Sequence, residues 1–299
     1  MKTSTTLVAY TGGLAVIFAA ALGVGAATGS PIDMSNDHSS HTTTTTVDAG
    51  HDSHDAAAGP ATPAGLQTSE QGYTLSEITA PAEVNRPGTL DFRILGPTGE
   101  PVTAFDDQHE KKLHLIVVRT DTSGFRHVHP SLAADGTWSL DWTWDRAGSY
   151  RVFADFQATG GPALTLGRGV DVAGGFVPVA LPAESRVAEV DGYRVTLDGD
   201  LSTAGGPLRL SVSRDGAPVT DLQPYLGAYG HLVALRAGDL AYLHVHPQGE
   251  PGDGVTPAGP DVSFHAQAPS AGTYRLYLDF QHENVVRTAE FTVSTHEGH

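Results

Sequence analysis

HLIVVRTDTSGFRHVHP, His114 to Pro130, aligns without a gap on HLVALRAGDLAYLHVHP, His231 to Pro247. The match extends in both directions. Upstream, Gly99-Glu-Pro-Val-Thr answers Gly216-Ala-Pro-Val-Thr, and each glycine stands 15 positions before its histidine. Downstream, AGSYRVFADFQ (Ala147 to Gln157) answers AGTYRLYLDFQ (Ala271 to Gln281), with seven extra residues in the Gly/Pro-rich loop of the second copy. Self-similarity at a fixed period marks a duplicated structural unit. The unit begins near Gly72-Tyr73 and again near Gly192-Tyr193, which makes each copy about 100 residues, the size of a β-sandwich domain.

Short apolar and β-branched runs recur through the first copy at Leu90 to Leu95, Leu113 to Arg119, Phe125 to His129, Trp138 to Trp142, Tyr150 to Phe156 and Gly169 to Val172. Gly96-Pro97-Thr98-Gly99, Ala134-Asp135-Gly136 and Arg214-Asp215-Gly216 supply loop or hairpin chemistry, and no window sustains a helical period. The Ala-Gly-Ser/Thr-Tyr approach to a strand resembles the tyrosine corner of immunoglobulin-like sandwiches. The expected fold is all-β: two tandem immunoglobulin-like β-sandwich domains, residues 71–176 and 177–294, with a flexible His-containing tail at 295–299. Their boundary is expected between Gly174 and Ala188, where Gly, Pro and Ala accumulate.

Each copy carries one histidine, then 12 residues, then His-x-His-Pro: His114, His127 and His129, and again His231, His244 and His246. Residues i and i+2 of a strand share a face, so each His-x-His pair projects together. The intervening stretch is long enough for a hairpin, which brings His114 opposite or nearly opposite His129. Two imidazoles from one strand and a third from its neighbour can hold Zn²⁺ or Cu²⁺ with a coordination position left open. A purely structural role is the alternative, because duplication preserves packing residues as faithfully as ligands. Asp155 and Asp279, matched between the copies, are candidate acceptors for these imidazoles or groups that orient them as ligands. His109, His265 and His282 have no counterpart in the other copy and are expected to be structural or on the surface.

Composition narrows the chemistry. The 299-residue chain has 34 acidic and 17 basic residues, a net charge of −17 that argues against nucleic-acid binding and suits cations. It has no cysteine, and its only methionines are Met1 and Met34, so a thiolate or thioether site for Cu⁺ cannot be built. Fifteen histidines point to Cu²⁺ or Zn²⁺.

No residue from Thr3 to Ile32 is charged, and Leu7 to Thr28 is long and apolar enough to cross a bilayer. Lys2 precedes the segment and the next basic residue is Arg86, which places the body outside the cytoplasm. Residues 1–29 are thus expected to be a transmembrane anchor or signal segment, the uncleaved anchor being favoured although Val24-Gly25-Ala26 offers a cleavage site. Residues 30–70, with the threonine run Thr42 to Thr46 and an Ala/Pro/Gly stretch, read as a disordered tether. Its His38, His41, His51 and His54 lie beside Asp37, Asp52 and Asp55, and either chelate divalent ions or are incidental to a solvated spacer.

The pattern H-L-I-V-V-R-x-D-x-x-x-F-x-H-x-H-P, complete from His114 to Pro130, resembles a family of exported, actinobacterial-type proteins described as heavy-metal-associated or hypothetical. The second copy departs from it, with Gly238 in the place of Asp121 and Tyr242 in that of Phe125. The chain is also similar in plan to small periplasmic copper carriers with immunoglobulin-like folds, but lacks their methionine ligands; the resemblance implies sequestration of Cu²⁺ or Zn²⁺ rather than Cu⁺ transfer. His109-Glu110-Lys-Lys-Leu-His114 is not a zinc-protease motif, since its histidines are five apart and the helix requires four. No nucleophile elbow, phosphate loop or dinucleotide fingerprint occurs. The expected function is non-catalytic binding or buffering of a divalent metal, copper being favoured, by a membrane-tethered extracytoplasmic protein. The alternative is an envelope module that binds a protein partner and uses its histidines structurally.

Overall fold

Alternation decides which strands meet water. In Tyr193–Asp198, Tyr193, Val195 and Leu197 are buried and the residues between them exposed, and Gly88–Leu95 buries Leu90, Phe92 and Ile94 in the same period. The two motif strands break that pattern. All seven residues of Leu113–Arg119 are buried, as are the first five of His231–Arg236. Continuous apolar runs of this kind belong to sheets covered on both faces.

The computed structural model describes residues 62–295. The segment Leu7 to Thr28, residues 30–61 of the expected tether and the histidines near the C-terminus lie outside the described residues. Among the described residues no helix is long and apolar enough to cross a membrane.

The chain folds as two antiparallel β-sandwiches. In the first, one sheet runs in the order Ser69–Glu70, Tyr73–Leu75, Gly88–Leu95, Thr137–Trp142, Ser131–Leu132. The other runs Ala163–Val172, Gly148–Ala158, Leu113–Arg119, Arg126–Val128, with Phe105–Asp106 also paired to Gly148–Ala158. The second sandwich is one continuous nine-stranded sheet in the order Val187–Val190, Tyr193–Asp198, Gly206–Arg214, Asp261–Ala266, Tyr242–Pro247, His231–Arg236, Thr273–His282, Val285–Ser294, with Ala217–Pro218 on Gly206–Arg214. The copies differ at one corner. Tyr242–Pro247 continues through His246 and Pro247 to pair with His265 and Phe264, whereas the corresponding strand of the first copy stops at Val128.

Both tyrosine corners are present. Tyr150 donates its hydroxyl to the carbonyl of Arg146 at 2.8 Å, and Tyr274 donates to that of Ser270 at 2.9 Å. The strands of the first sandwich end at Val172 and those of the second begin at Val187.

Each motif strand divides its side chains between two cores. Leu113, Leu115 and Val117 pack inside the first sandwich, and Leu232 and Ala234 inside the second. The alternate residues Ile116, Val118, Val233 and Leu235 join Phe153, Leu240, Tyr242 and Tyr277 in a third cluster between the sandwiches. The motif sheets therefore lie face to face, and the joint is reciprocal. Phe125 stacks on Tyr277 at 4.0 Å between centroids, while Tyr242, the counterpart of Phe125, meets Phe153, the counterpart of Tyr277, at 5.5 Å. A single chain thus contains the isologous kind of interface that a two-fold dimer uses.

The segment before residue 71 belongs to this joint, contrary to the expected tether boundary at residue 70. Gly65 donates its N–H to Thr165 of the first sandwich, and Ala64 accepts from the backbone N–H of Tyr242 in the second. Gly65 has φ +74°, and a Cβ there would lie 2.6 Å from the Phe153 ring and 2.9 Å from Tyr242 Cβ. Only glycine fits without displacing one sandwich from the other.

Candidate metal centre

The first motif hairpin pairs Ile116 with His127 and Leu115 with Val128. That register points His114 and His127 toward the same face, the face that meets the second sandwich. Past Val128 the chain leaves the strand, and His129 turns back over His114. His114 Nδ1 lies 2.9 Å from His127 Nε2 and 3.1 Å from His129 Nε2. One ring nitrogen from each of the three lies within 4.8 Å of the others. His114 is 4% exposed; the other two are partly buried.

Hydrogen bonds fix the tautomers of two members. His114 Nε2 lies 2.8 Å from the carbonyl of Gln108. A carbonyl only accepts, so Nε2 carries the proton and Nδ1 keeps the lone pair. His127 Nδ1 lies 2.8 Å from Asp279 Oδ2, an acceptor, so His127 Nε2 keeps its lone pair when the ring is neutral. Two lone pairs then face each other across 2.9 Å. That contact is repulsive unless a cation sits between them.

A divalent ion fits this arrangement. With metal–nitrogen bonds of about 2.0–2.1 Å, tetrahedral ligands stand roughly 3.3 Å apart, so the His127 and His129 nitrogens at 2.9 and 3.1 Å from His114 Nδ1 need to draw back from it by only a few tenths of an ångström. Burial holds the His114 imidazolium down, to a pKa of about 4, with repulsion from His127 adding to the effect. His129 falls to about 2 through burial and the charges of His127 and His114. Both are neutral at physiological pH, the form that ligates.

The carboxylate that orients His127 comes from the other repeat. Sequence matching identifies Asp155 and Asp279 as acceptors, and it gives no sign that one would cross between copies. Asp279 stands opposite His231 in its own sheet, yet its Oδ2 accepts from His127, and its Oδ1 accepts from Thr288 at 2.6 Å. Asp155 stands opposite His114 and accepts from the Tyr242 hydroxyl of the second sandwich at 3.2 Å.

His231 repeats the arrangement of His114. It is buried, its Nε2 lies 2.9 and 3.0 Å from the carbonyls of Tyr225 and Leu226, and the lone pair is therefore on Nδ1. Burial, then His127 and His109, lower its pKa to about 3. Its ring is 6.4 Å from those of both His114 and His127. His244 stands opposite Val233 as His127 stands opposite Ile116, so the second triplet has the backbone register of the first. Of the second triplet, His231 is thus brought by the fold beside the first.

His109 is half-buried on a turn. Gln108 and Lys111 exchange backbone hydrogen bonds around a two-residue turn, with φ +48° at His109 and +64° at Glu110. These are the angles of a hairpin turn with both central residues left-handed. The turn sets the His109 ring 6.2 Å from His114 and 5.3 Å from His231. The spacing that excludes a helical zinc motif imposes no such limit on a turn leading into a strand. His282 has the expected structural role, bonded to the Tyr193 hydroxyl at 2.6 Å and to Asp221 at 3.0 Å. His265 is exposed on its strand.

A family model for a domain of unknown function, DUF8832, matches the chain twice, at residues 67–173 and 188–297. No curated protein matches the sequence. Among solved structures, an alpha-2-macroglobulin mutant from Salmonella is similar at 15% identity and TM-score 0.26, covering 79% of this chain and 15% of that one. A two-domain fibronectin type-III segment of chicken tenascin is similar at 11% identity and TM-score 0.22, covering 74% and 97%. A DUF3823 family protein from Bacteroides uniformis gives 14% identity and TM-score 0.23, covering 67% and 95%. The two-sandwich architecture rests on the strand pairing described above rather than on these likenesses.

Proposed function

This chain belongs to the DUF8832 family and carries two of its domains, and we propose that it binds and buffers a divalent transition metal, Cu²⁺ or Zn²⁺, without catalysing a reaction. The observation that carries this reading is the meeting of His114 Nδ1 and His127 Nε2 at 2.9 Å, each with its other ring nitrogen committed to an acceptor. His129 Nε2 completes a three-imidazole set, and the repeat offers His231, His244 and His246 as a second. A carboxylate–histidine–metal arrangement of this kind fixes the ligand ring and raises its basicity. Absence of catalysis is supported by the commitment of Asp279 to His127 and Thr288, which leaves it unsuited to carry a substrate proton. The placement outside the cytoplasm and the membrane tether rest on the Leu7 to Thr28 segment and its flanking charges.

The second reading replaces the metal by a proton. His127 as an imidazolium, paired with Asp279 and donating to His114, would also relieve the lone-pair contact and would serve only to glue the sandwiches for binding an envelope protein. Titration separates the two. In the full-length chain with His38, His41, His51, His54, His296 and His299 replaced by asparagine, calorimetry with Cu²⁺ or Zn²⁺ is expected to show tight uptake. The Cu²⁺ form should show nitrogen hyperfine structure in electron paramagnetic resonance, lost in His127→Ala/His129→Ala. A folded chain that takes up neither ion would leave the glue reading standing.

A further inference from the structure

Resting on the metal reading above, we infer that the two histidine triplets form a single two-ion centre shared across the interface, with His109 as an additional imidazole of the second half. Four observations carry this. His231 has the His114 tautomer, with Nε2 held by carbonyls and the Nδ1 lone pair left to ligate. Its ring lies 6.4 Å from those of His114 and His127, which sets imidazoles of the two repeats side by side in one cluster. The joint is reciprocal: the Phe125–Tyr277 and Tyr242–Phe153 contacts are counterparts, and Asp155 holds in one sheet the register position that Asp279 holds in the other. His244 occupies the register of His127.

His109 has no counterpart in the second copy and breaks this symmetry. Its left-handed turn sets the ring beside both His114 and His231, closer to the latter, where it can complete the second half. Two dications so near repel, and Asp155 and Asp279, one per repeat, offset part of that charge. The expected consequence is sequential loading, the second ion binding about ten-fold or more weaker than the first.

The test is a Cu²⁺ titration of the full-length chain with its six terminal-region histidines replaced as above, followed by calorimetry and frozen-solution electron paramagnetic resonance. At one equivalent the spectrum should be that of isolated Cu²⁺. At two it should broaden through dipolar coupling, which falls with the cube of distance. His231→Ala should abolish the second step. His109→Asn, which keeps a residue tolerant of the left-handed turn, should weaken the second step and spare the first, with circular dichroism confirming the fold. Two equivalents with uncoupled spectra, or a single equivalent, would overturn the two-ion centre and leave the metal reading intact. No uptake at all would overturn both.

Discussion

At the scale of single residues, the centre depends on which ring nitrogen each hydrogen-bond partner occupies. Asp279→Ala removes the acceptor of His127 Nδ1 without touching a ligand atom. The ring then loses its fixed tautomer and orientation, and metal affinity should fall by roughly 10–100-fold, measured by competition with a chelator. The buried imidazoles also make stability depend on pH in a definite direction. His114, His129 and His231 have folded pKa values of about 4, 2 and 3, below the unfolded value of about 6.5. Between those limits the unfolded chain binds more protons than the folded one. Their contribution is therefore fully present above pH 6.5 and is lost as pH falls through 6 and 5 toward the folded values. Urea midpoints of the metal-free protein should drop across that window, and the slope should lessen in His231→Leu; a midpoint as high at pH 4.5 as at pH 7 would contradict the burial described.

At the scale of elements, the Ala64-Gly65 strap and the two motif strands decide how closely the sheets approach. Gly65→Ala adds a methyl 2.6 Å from the Phe153 ring at a residue with φ +74°. The combined overpacking and backbone strain should cost about 2 kcal/mol in denaturant unfolding. A cost near zero would mean that the strap is free to leave the joint. Much of this level was legible in the sequence. Leu113 to Arg119 is read with its observed bounds, both tyrosine corners follow from Ala-Gly-Ser/Thr-Tyr, and the hairpin brings His114, His127 and His129 together as their spacing implies. The choice of buried face was not legible from one copy, because Ile116 and Val118 have the parity of His114 while Leu115 and Val117 have the other. Both faces are buried, and the second cover is the other repeat. The position of His109 was not legible for a related reason: it comes from a turn and from a ring in the other sandwich, and neither leaves a period in the sequence. Composition places residues 62–70 in the tether, but backbone hydrogen bonds at Ala64, Gly65, Gln67 and Thr68 and the pairing of Ser69–Glu70 with Tyr73–Thr74 order them, none of which leaves a compositional mark.

At the scale of the whole molecule, the proposed metal site would link ion binding to domain docking, since His127 belongs to one sandwich and the carboxylate orienting it to the other. An ion held by the docked form alone stabilises it by mass action, roughly 2.7 kcal/mol at a hundred-fold excess over its Kd. The converse must also hold: a change that loosens docking must weaken the ion, even where it touches no ligand. Tyr277 provides the test. It is fully buried between the sandwiches, stacks on Phe125 at 4.0 Å and donates to the Thr122 carbonyl at 2.6 Å. Two residues along the same strand face is Asp279. Tyr277→Ala should destabilise by about 3–5 kcal/mol, as large aromatic truncations do, and should divide a single thermal transition into two as the sandwiches uncouple. The affinity for Zn²⁺ should fall with it, because Asp279 is no longer held against His127. Tyr277→Phe keeps the stacked ring and loses only the hydroxyl, so it should retain one transition and most of the affinity. If Tyr277→Ala uncoupled the sandwiches and left zinc affinity unchanged, the ion would be a property of the first repeat alone, and the carboxylate reaching across the joint would be structural.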